Sequence, residues 1–333
     1  MNAPKVTDLD YIQFLIAAQR VFSCTEAAAC QPEQPAPPAH DAFSRLLLRQ
    51  PPDTAALWQE VKPLIRRTAG ALVLDDSTLD KPYAHQMAWV TRHWSGKHHR
   101  VVSGINLISL IWTDGETLLP CDFRLYDKPF GGLDKHQHAR AMLAAAHERG
   151  FRPQVVLFDG WYASLENLKA IHRYQWHWLT RFKANRLVNP DDTGNVPLST
   201  LTIPKEGREV HLKGYGFVRV FRTVAANGDA EYWATNLLTM TEAERKEWAR
   251  QAFGIEVYHR GLKQCCGIEK CPAQRKEAQR GHIHLALRAF VRLEVNWLRT
   301  GASWYYAKKE TIRAAIRDYL AQPRYTLATD PTA

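Results

Sequence analysis

The sequence predicts a mixed α/β fold, and three observations carry that expectation. The apolar runs ALVLD (71–75) and QVVLFD (154–159) end in carboxylates, as buried strands do in open sheets whose sites lie past the strand ends. Helical spacing alternates with such runs and is clearest around Glu256 in IEVYHRGLK. Turn signals crowd residues 185–238 (NPDDTGN, KEGRE, ANGD) between alternating runs, which argues for an inserted antiparallel β subdomain.

The bulk properties narrow the function classes. A chain of 333 residues can bury a large core, and 45% hydrophobic with 23% charged residues excludes disorder as the general state. A net charge of +10 favours a polyanionic partner, because each neutralised phosphate releases counterions. The first twenty residues lack a charged leader before their apolar stretch and carry Asp8 and Asp10, so they do not read as a signal peptide. The apolar stretch from Ile283 to Leu298 is interrupted by Arg288, Arg292 and Glu294, too polar to cross a bilayer. The expected location is the cytoplasm, on the nucleoid, where the six cysteines stay reduced.

Taken in order, residues 8–22 and 40–68 read as helices separated by the Pro-rich PEQPAPP (32–38), giving an N-terminal helical module over 1–68. From Ala71 the runs ALVLD, HQMAWVTRHW and RVVSGINLISLIW predict three strands in a meander, with a Ser95-Gly96 turn. A basic helix from about Lys135 to Arg149 is stopped by Gly150. The strand QVVLFD, a helix from about Ser164 to Arg173 and the strand HWLTRFK complete the order βββ-α-β-α-β, that of an RNase H-like core. The insertion fills 185–238, helical signals resume at Thr241 and run past Glu256 to Lys263, and two basic helices occupy 281–322. The expected division is a core over 69–184 and 239–300 and a C-terminal helix and tail over 301–333.

Three acids stand out against their structural alternatives. Asp76 in DDST has the context of a turn cap, and Asp75 competes with it for any catalytic role. Alternation puts Val73 and Asp75 on one face and leaves Asp76 leaving the strand on the face of Leu72 and Leu74. Asp159 has no evident capping task, since Ser164 is the better N-cap for the following helix. Glu256 shares a helix face with His259, Arg260 and Lys263, at i+3, i+4 and i+7, which reads either as a solvated ion pair or as a carboxylate set beside phosphate-binding cations.

The segments LVLDDSTLDKPYAHQMAWVTRHWSGKHHRVVSGINL, LFDGWYASLENLKAI and IEVYHRGLKQCCGIEKC resemble the three catalytic blocks of bacterial insertion-sequence DDE transposases, in the group with a β-strand insertion before the final Glu. That group's third block carries a Tyr, Arg, Glu, Lys signature with six residues between Glu and Lys, and Glu256 and Lys263 keep this spacing. The family's Tyr and Arg positions are Ala249 and Ala252 here, with Trp248 and Arg250 nearby. The resemblance implies that Asp76, Asp159 and Glu256 bind two Mg²⁺ ions, with Mn²⁺ able to substitute, for phosphodiester hydrolysis and strand transfer. It further implies a double-stranded DNA partner, a homodimer that pairs two DNA ends, and DNA contacts from Lys81, Trp161, Arg181, Lys183, Arg186, Tyr258, His259, Arg260 and Lys263. Two rivals remain: an RNase H-like nuclease without strand transfer, and a DNA-binding descendant that no longer catalyses.

Weaker constellations complete the reading. Lys97, His98, His99 and Arg100 suit either DNA or a solvated hairpin tip. Cys265, Cys266, Cys271, His282 and His284 match no common zinc-finger spacing. Arg20, Arg45, Arg49, Arg66 and Arg67 give the N-terminal module a basic character suited to a terminal repeat, and its helices suit a dimer contact equally well.

Overall fold

In a computed structural model, residues 4–84, 86–95, 99–127, 132–224 and 228–324 are described. Four short helices open the chain: α1 (Asp8–Ala17), α2 (Cys24–Ala29), α3 (His40–Leu48) and α4 (Ala55–Val61). The helix expected over 40–68 breaks at Pro51-Pro52, because proline supplies no amide donor and clashes with the preceding turn. α1, α3 and α4 lie on α9 (Lys276–Thr300) and α2 packs on α3, so that all share one hydrophobic core with the rest of the chain. Close approach is built in, since a Cβ at Gly281 would stand 2.2 Å from the Leu47 carbonyl oxygen. Polar ties reinforce the contact: the Tyr11 hydroxyl meets His282 Nδ1 at 3.0 Å, while Arg288 and Arg292 both grip Glu60, at 2.8 and 2.9 Å.

The core sheet starts with β1 (Ala71–Asp80), β2 (Thr91–Ser95), β3 (Arg100–Thr113) and β4 (Leu118–Tyr126). β4 was not among the expected strands. Its run LLPCDFRLY follows an Asp114-Gly115 turn, with Gly115 at φ +102°, and pairs antiparallel with β3. Of the expected strand HQMAWVTRHW only β2 forms, continuing along the edge of β3 where β4 ends; His85, Lys97 and His98 lie outside the described residues. Next come α5 (Lys135–Glu148), β5 (Val155–Phe158), α6 (Leu165–Arg173) and β6 (Trp178–Phe182), with β1, β5 and β6 mutually parallel. Gly150, at φ +80°, follows α5, and Ser164 caps α6 through the Asn167 amide. This is the RNase H-like arrangement.

The insertion extends that sheet. After the two-stranded β7 (Leu187–Val188) and β8 (Val196–Pro197), the antiparallel strands β9 (Arg208–Leu212), β10 (Gly216–Val224) and β11 (Ala230–Thr235) join it through β11 beside β6. The result is a nine-stranded mixed sheet in the order β2-β3-β1-β5-β6-β11-β10-β9, with β4 on β3. The chain returns through α7 (Glu242–Ala252), capped by Thr241, and α8 (Gly254–Cys265), then α9 and α10 (Trp304–Ala321). Among the described residues no helix is long and apolar enough to cross a membrane.

Candidate active site

Parallel pairing of β1 with β5 ends at Leu74 and Phe158, so Asp75 and Asp159 are the next residues on neighbouring strands. They stand at the carboxyl ends of the parallel strands, where open α/β sheets open into crevices. Glu256, exposed in the first turn of α8, faces them, where the helix's positive end favours a carboxylate. Asp75, Asp159 and Glu256 line one cleft of about 180 Å³ together with Arg181, Trp233, Ala249 and Ala252. Burial, and then the charges of Asp76, Asp159 and Glu256, push the Asp75 carboxyl well above the usual carboxylate range.

Asp76 does not line this cleft. β1 continues through Asp80 against β3, so Asp76 lies inside a strand rather than leaving it, with its side chain on the opposite face from Asp75. Its carboxylate accepts from Lys135 Nζ at 2.7 Å, Asn106 Nδ2 at 2.6 Å and the Tyr162 hydroxyl at 2.7 Å. Burial works to raise its pKa, but the Lys135 charge and these hydrogen bonds together bring it below the usual value. The sequence choice between adjacent aspartates favoured Asp76; the cleft contains Asp75.

Asp159 has the capping task that the sequence reading did not find. Its Oδ1 accepts from the Trp161 amide at 2.8 Å and caps a 3-10 turn at Gly160–Tyr162. Gly160 is required there, since a Cβ would stand 2.6 Å from the Arg181 carbonyl oxygen on β6. Trp161 is 50% exposed and stacks on His136 at 4.4 Å.

The expected DNA contacts divide by exposure. Arg260 and Lys183 are exposed. So is Arg181, whose guanidinium lies 5.0 Å from the Trp233 ring centroid and 3.1 Å from Glu231. Arg186 is half-buried over Phe182, and Lys263, also half-buried, donates to the Thr78 carbonyl at 2.7 Å. Three others face inward. Tyr258 is fully buried against Phe290, and His259 meets Ser109 at 3.2 Å with its pKa lowered to about 3, by burial first and then by Lys263. Lys81 is buried, its Nζ 2.7 Å from the Cys271 carbonyl, and burial brings its pKa to about 8. Packing of α8 on α9 and on the sheet turns Tyr258 toward Phe290 and His259 toward Ser109, away from the face that carries Glu256 and Arg260.

Among the described residues no group of three His, Cys, Asp or Glu side chains stands close enough to hold a metal ion, in the cleft or among Cys265, Cys266, Cys271, His282 and His284. The cleft's donors nevertheless fit a hard divalent cation: they are carboxylate oxygens, and Asp75 is half-buried beside like charges that a cation would neutralise. The cysteines are buried, with burial raising their thiols, and His282 is engaged by Tyr11 and the Gly267 carbonyl.

Sequence reasoning missed Lys135, Asn106, Tyr162 and Gly160. The Gly-Trp-Tyr run directly after Asp159 was the available signal for a tight turn.

Comparison with known proteins agrees with this fold. No curated protein matches the chain. A cryo-EM structure of a piggyBac transposase synaptic complex with hairpin DNA is similar in fold, with a TM-score of 0.54 at 10% identity, covering 98% of this chain and 74% of that one. A Drosophila P element transposase strand transfer complex aligns over 84% of this chain and 69% of that one at 8% identity, but its TM-score of 0.21 is too low to indicate a common fold. The family model described as transposase DDE domain matches residues 66–292. The chain belongs to the transposase DDE-domain family.

Proposed function

We propose that the chain is a DNA transposase of the insertion-sequence type, which excises and inserts its element by phosphodiester hydrolysis and strand transfer, with Asp75, Asp159 and Glu256 as its acidic triad. The observation that carries this reading is the convergence of those three carboxylates on one cleft at the ends of β1 and β5. Their oxygens would hold two Mg²⁺ or Mn²⁺ ions, which when bound activate the attacking hydroxyl and stabilise the leaving oxygen in an in-line displacement. The Arg181 guanidinium at the cleft suits a phosphate oxygen, and exposed Arg260 and Lys183 extend the cationic path for the flanking duplex. The net charge of +10 supports a double-stranded DNA partner, and joining two element ends calls for a homodimer in the DNA complex, working in the cytoplasm at the nucleoid.

The test uses the purified protein, Mg²⁺, a labelled duplex bearing its own element's ends and a target plasmid. End cleavage followed by joining is expected, and Asp159→Ala should abolish both while sparing DNA binding. Cleavage without joining would replace the reading with a nuclease. Binding without cleavage would replace it with a non-catalytic regulator.

A further inference from the structure

We propose that Asp76 is a positioning residue: with Lys135 and Tyr162 it braces the turn that carries Asp159, and it is not itself a metal ligand. This inference rests on the proposed triad of Asp75, Asp159 and Glu256. Pairing of β5 with β1 ends one residue before Asp159, so the sheet ladder does not fix that side chain. Its orientation depends on the 3-10 turn Gly160–Tyr162, which Asp159 opens and which the Tyr162 amide closes on the Asp159 carbonyl at 2.9 Å.

The turn is tied down from outside. Tyr162, 1% exposed, reaches across to give its hydroxyl hydrogen to Asp76 Oδ1 at 2.7 Å, and its carbonyl accepts from Asn167 Nδ2 at 2.9 Å. On the other oxygen of Asp76, Lys135 Nζ at 2.7 Å and Asn106 Nδ2 at 2.6 Å complete three donors to one carboxylate. Lys135 opens α5, and its ammonium also lies 5.3 Å from the Trp161 ring centroid, so the strand, the helix and the turn meet at this one group. Few lone-pair positions remain on Asp76, and a divalent cation there would have to displace or sit beside an ammonium. Arg181 lines the cleft that the other three carboxylates share, but its guanidinium pairs with Glu231.

The role follows from ordinary outer-shell behaviour, in which a hydrogen-bonded support fixes the angle of a ligand and its removal typically costs about 10- to 100-fold in activity or metal affinity. Single-turnover cleavage of the labelled element end would be compared for the wild type, Asp76→Asn, Tyr162→Phe and the double variant. Mn²⁺ binding would be followed in parallel by electron paramagnetic resonance. The cleavage rate should drop about 10- to 100-fold in each single variant, with DNA affinity unchanged and the double variant little worse than either single. Bound Mn²⁺ should keep its stoichiometry in Asp76→Asn, at weaker affinity, and lose one ion in Asp75→Asn. A Tyr162→Phe protein with wild-type rate, strictly multiplicative losses in the double variant, or a lost Mn²⁺ in Asp76→Asn would each overturn the proposal. Absence of Mg²⁺-dependent cleavage by the wild type would instead overturn the transposase reading.

Discussion

The two faces of β1 place adjacent aspartates in opposite electrostatic settings. On the cleft face, Asp75 is half-buried near Asp159 and Glu256, and burial first, then the charges of Asp76, Asp159 and Glu256, push its carboxyl upward. On the other face, Asp76 meets a lysine, an asparagine and a tyrosine, and its carboxyl is lowered. A protein that only needed stability would neutralise both, because an uncompensated buried charge is costly. Leaving one uncompensated is how sites reserve a place for a bound cation, and compensating its neighbour keeps the frame around that place rigid.

The sharpest way to break this comparison is Asp75→Asn. It should bring end cleavage to background, yet raise the melting temperature in metal-free buffer. The sign follows from linkage: an acid whose folded pKa is raised contributes stability that is full below its unfolded pKa, about 4, and is lost as pH rises through the folded value. The gain of the Asn variant should therefore grow with pH. A melting temperature that falls at high pH would mean that Asp75 is not crowded by like charge.

Gly160→Ala tests the frame from the opposite side. The added Cβ, 2.6 Å from the Arg181 carbonyl, must push the Asp159 turn away from β6. A loss of about 1–3 kcal/mol in stability is expected, as for overpacking elsewhere, with a disproportionate drop in cleavage measured at a temperature where the protein is fully folded. Unchanged cleavage would show that the turn's position is not critical.

The smallest effect belongs to α8. His259 has its pKa lowered to about 3, so the unfolded chain takes a proton below about 6.5 that the folded chain refuses, and stability is lost as pH falls from there toward 3. His259→Gln should remove up to about 1.4 kcal/mol per pH unit of that acid slope in urea melts, leaving the contributions of His282 and His284. An identical slope in the variant would mean that His259 is already charged and turned outward.

Much of the fold was legible because its signals are local. The runs ALVLD and VVLF, the cap at Ser164, the stop at Gly150 and the turns of the insertion each specify an element within a few residues. β4 was harder to see, since Pro120 and Asp122 dilute its apolar pattern, although both are held in pairing with β3. The break at Phe253 between α7 and α8 was likewise hidden, because the segment keeps helical spacing on both sides of it.

For the site, the residue types and the spacing of Glu256 and Lys263 were written in the chain, as was the strand-end position of Asp159. Which of two neighbouring aspartates faces the cleft was not. Alternation along β1 separates Asp75 from Asp76 but does not say which face α8 covers and which face α5 covers. That depends on contacts far apart in sequence, such as Lys135 with Asp76 and Lys263 with Thr78. The same holds for Tyr258, His259 and Lys81: their chemistry suits DNA, but packing against α9, the sheet and the Cys271 loop turned them inward. The chain by itself determined the strands, the helices and the stock of acids and bases, because hydrophobic period and turn chemistry are local. Only the tertiary structure decided which charges are left facing one another, because burial and pairing are properties of surfaces that meet.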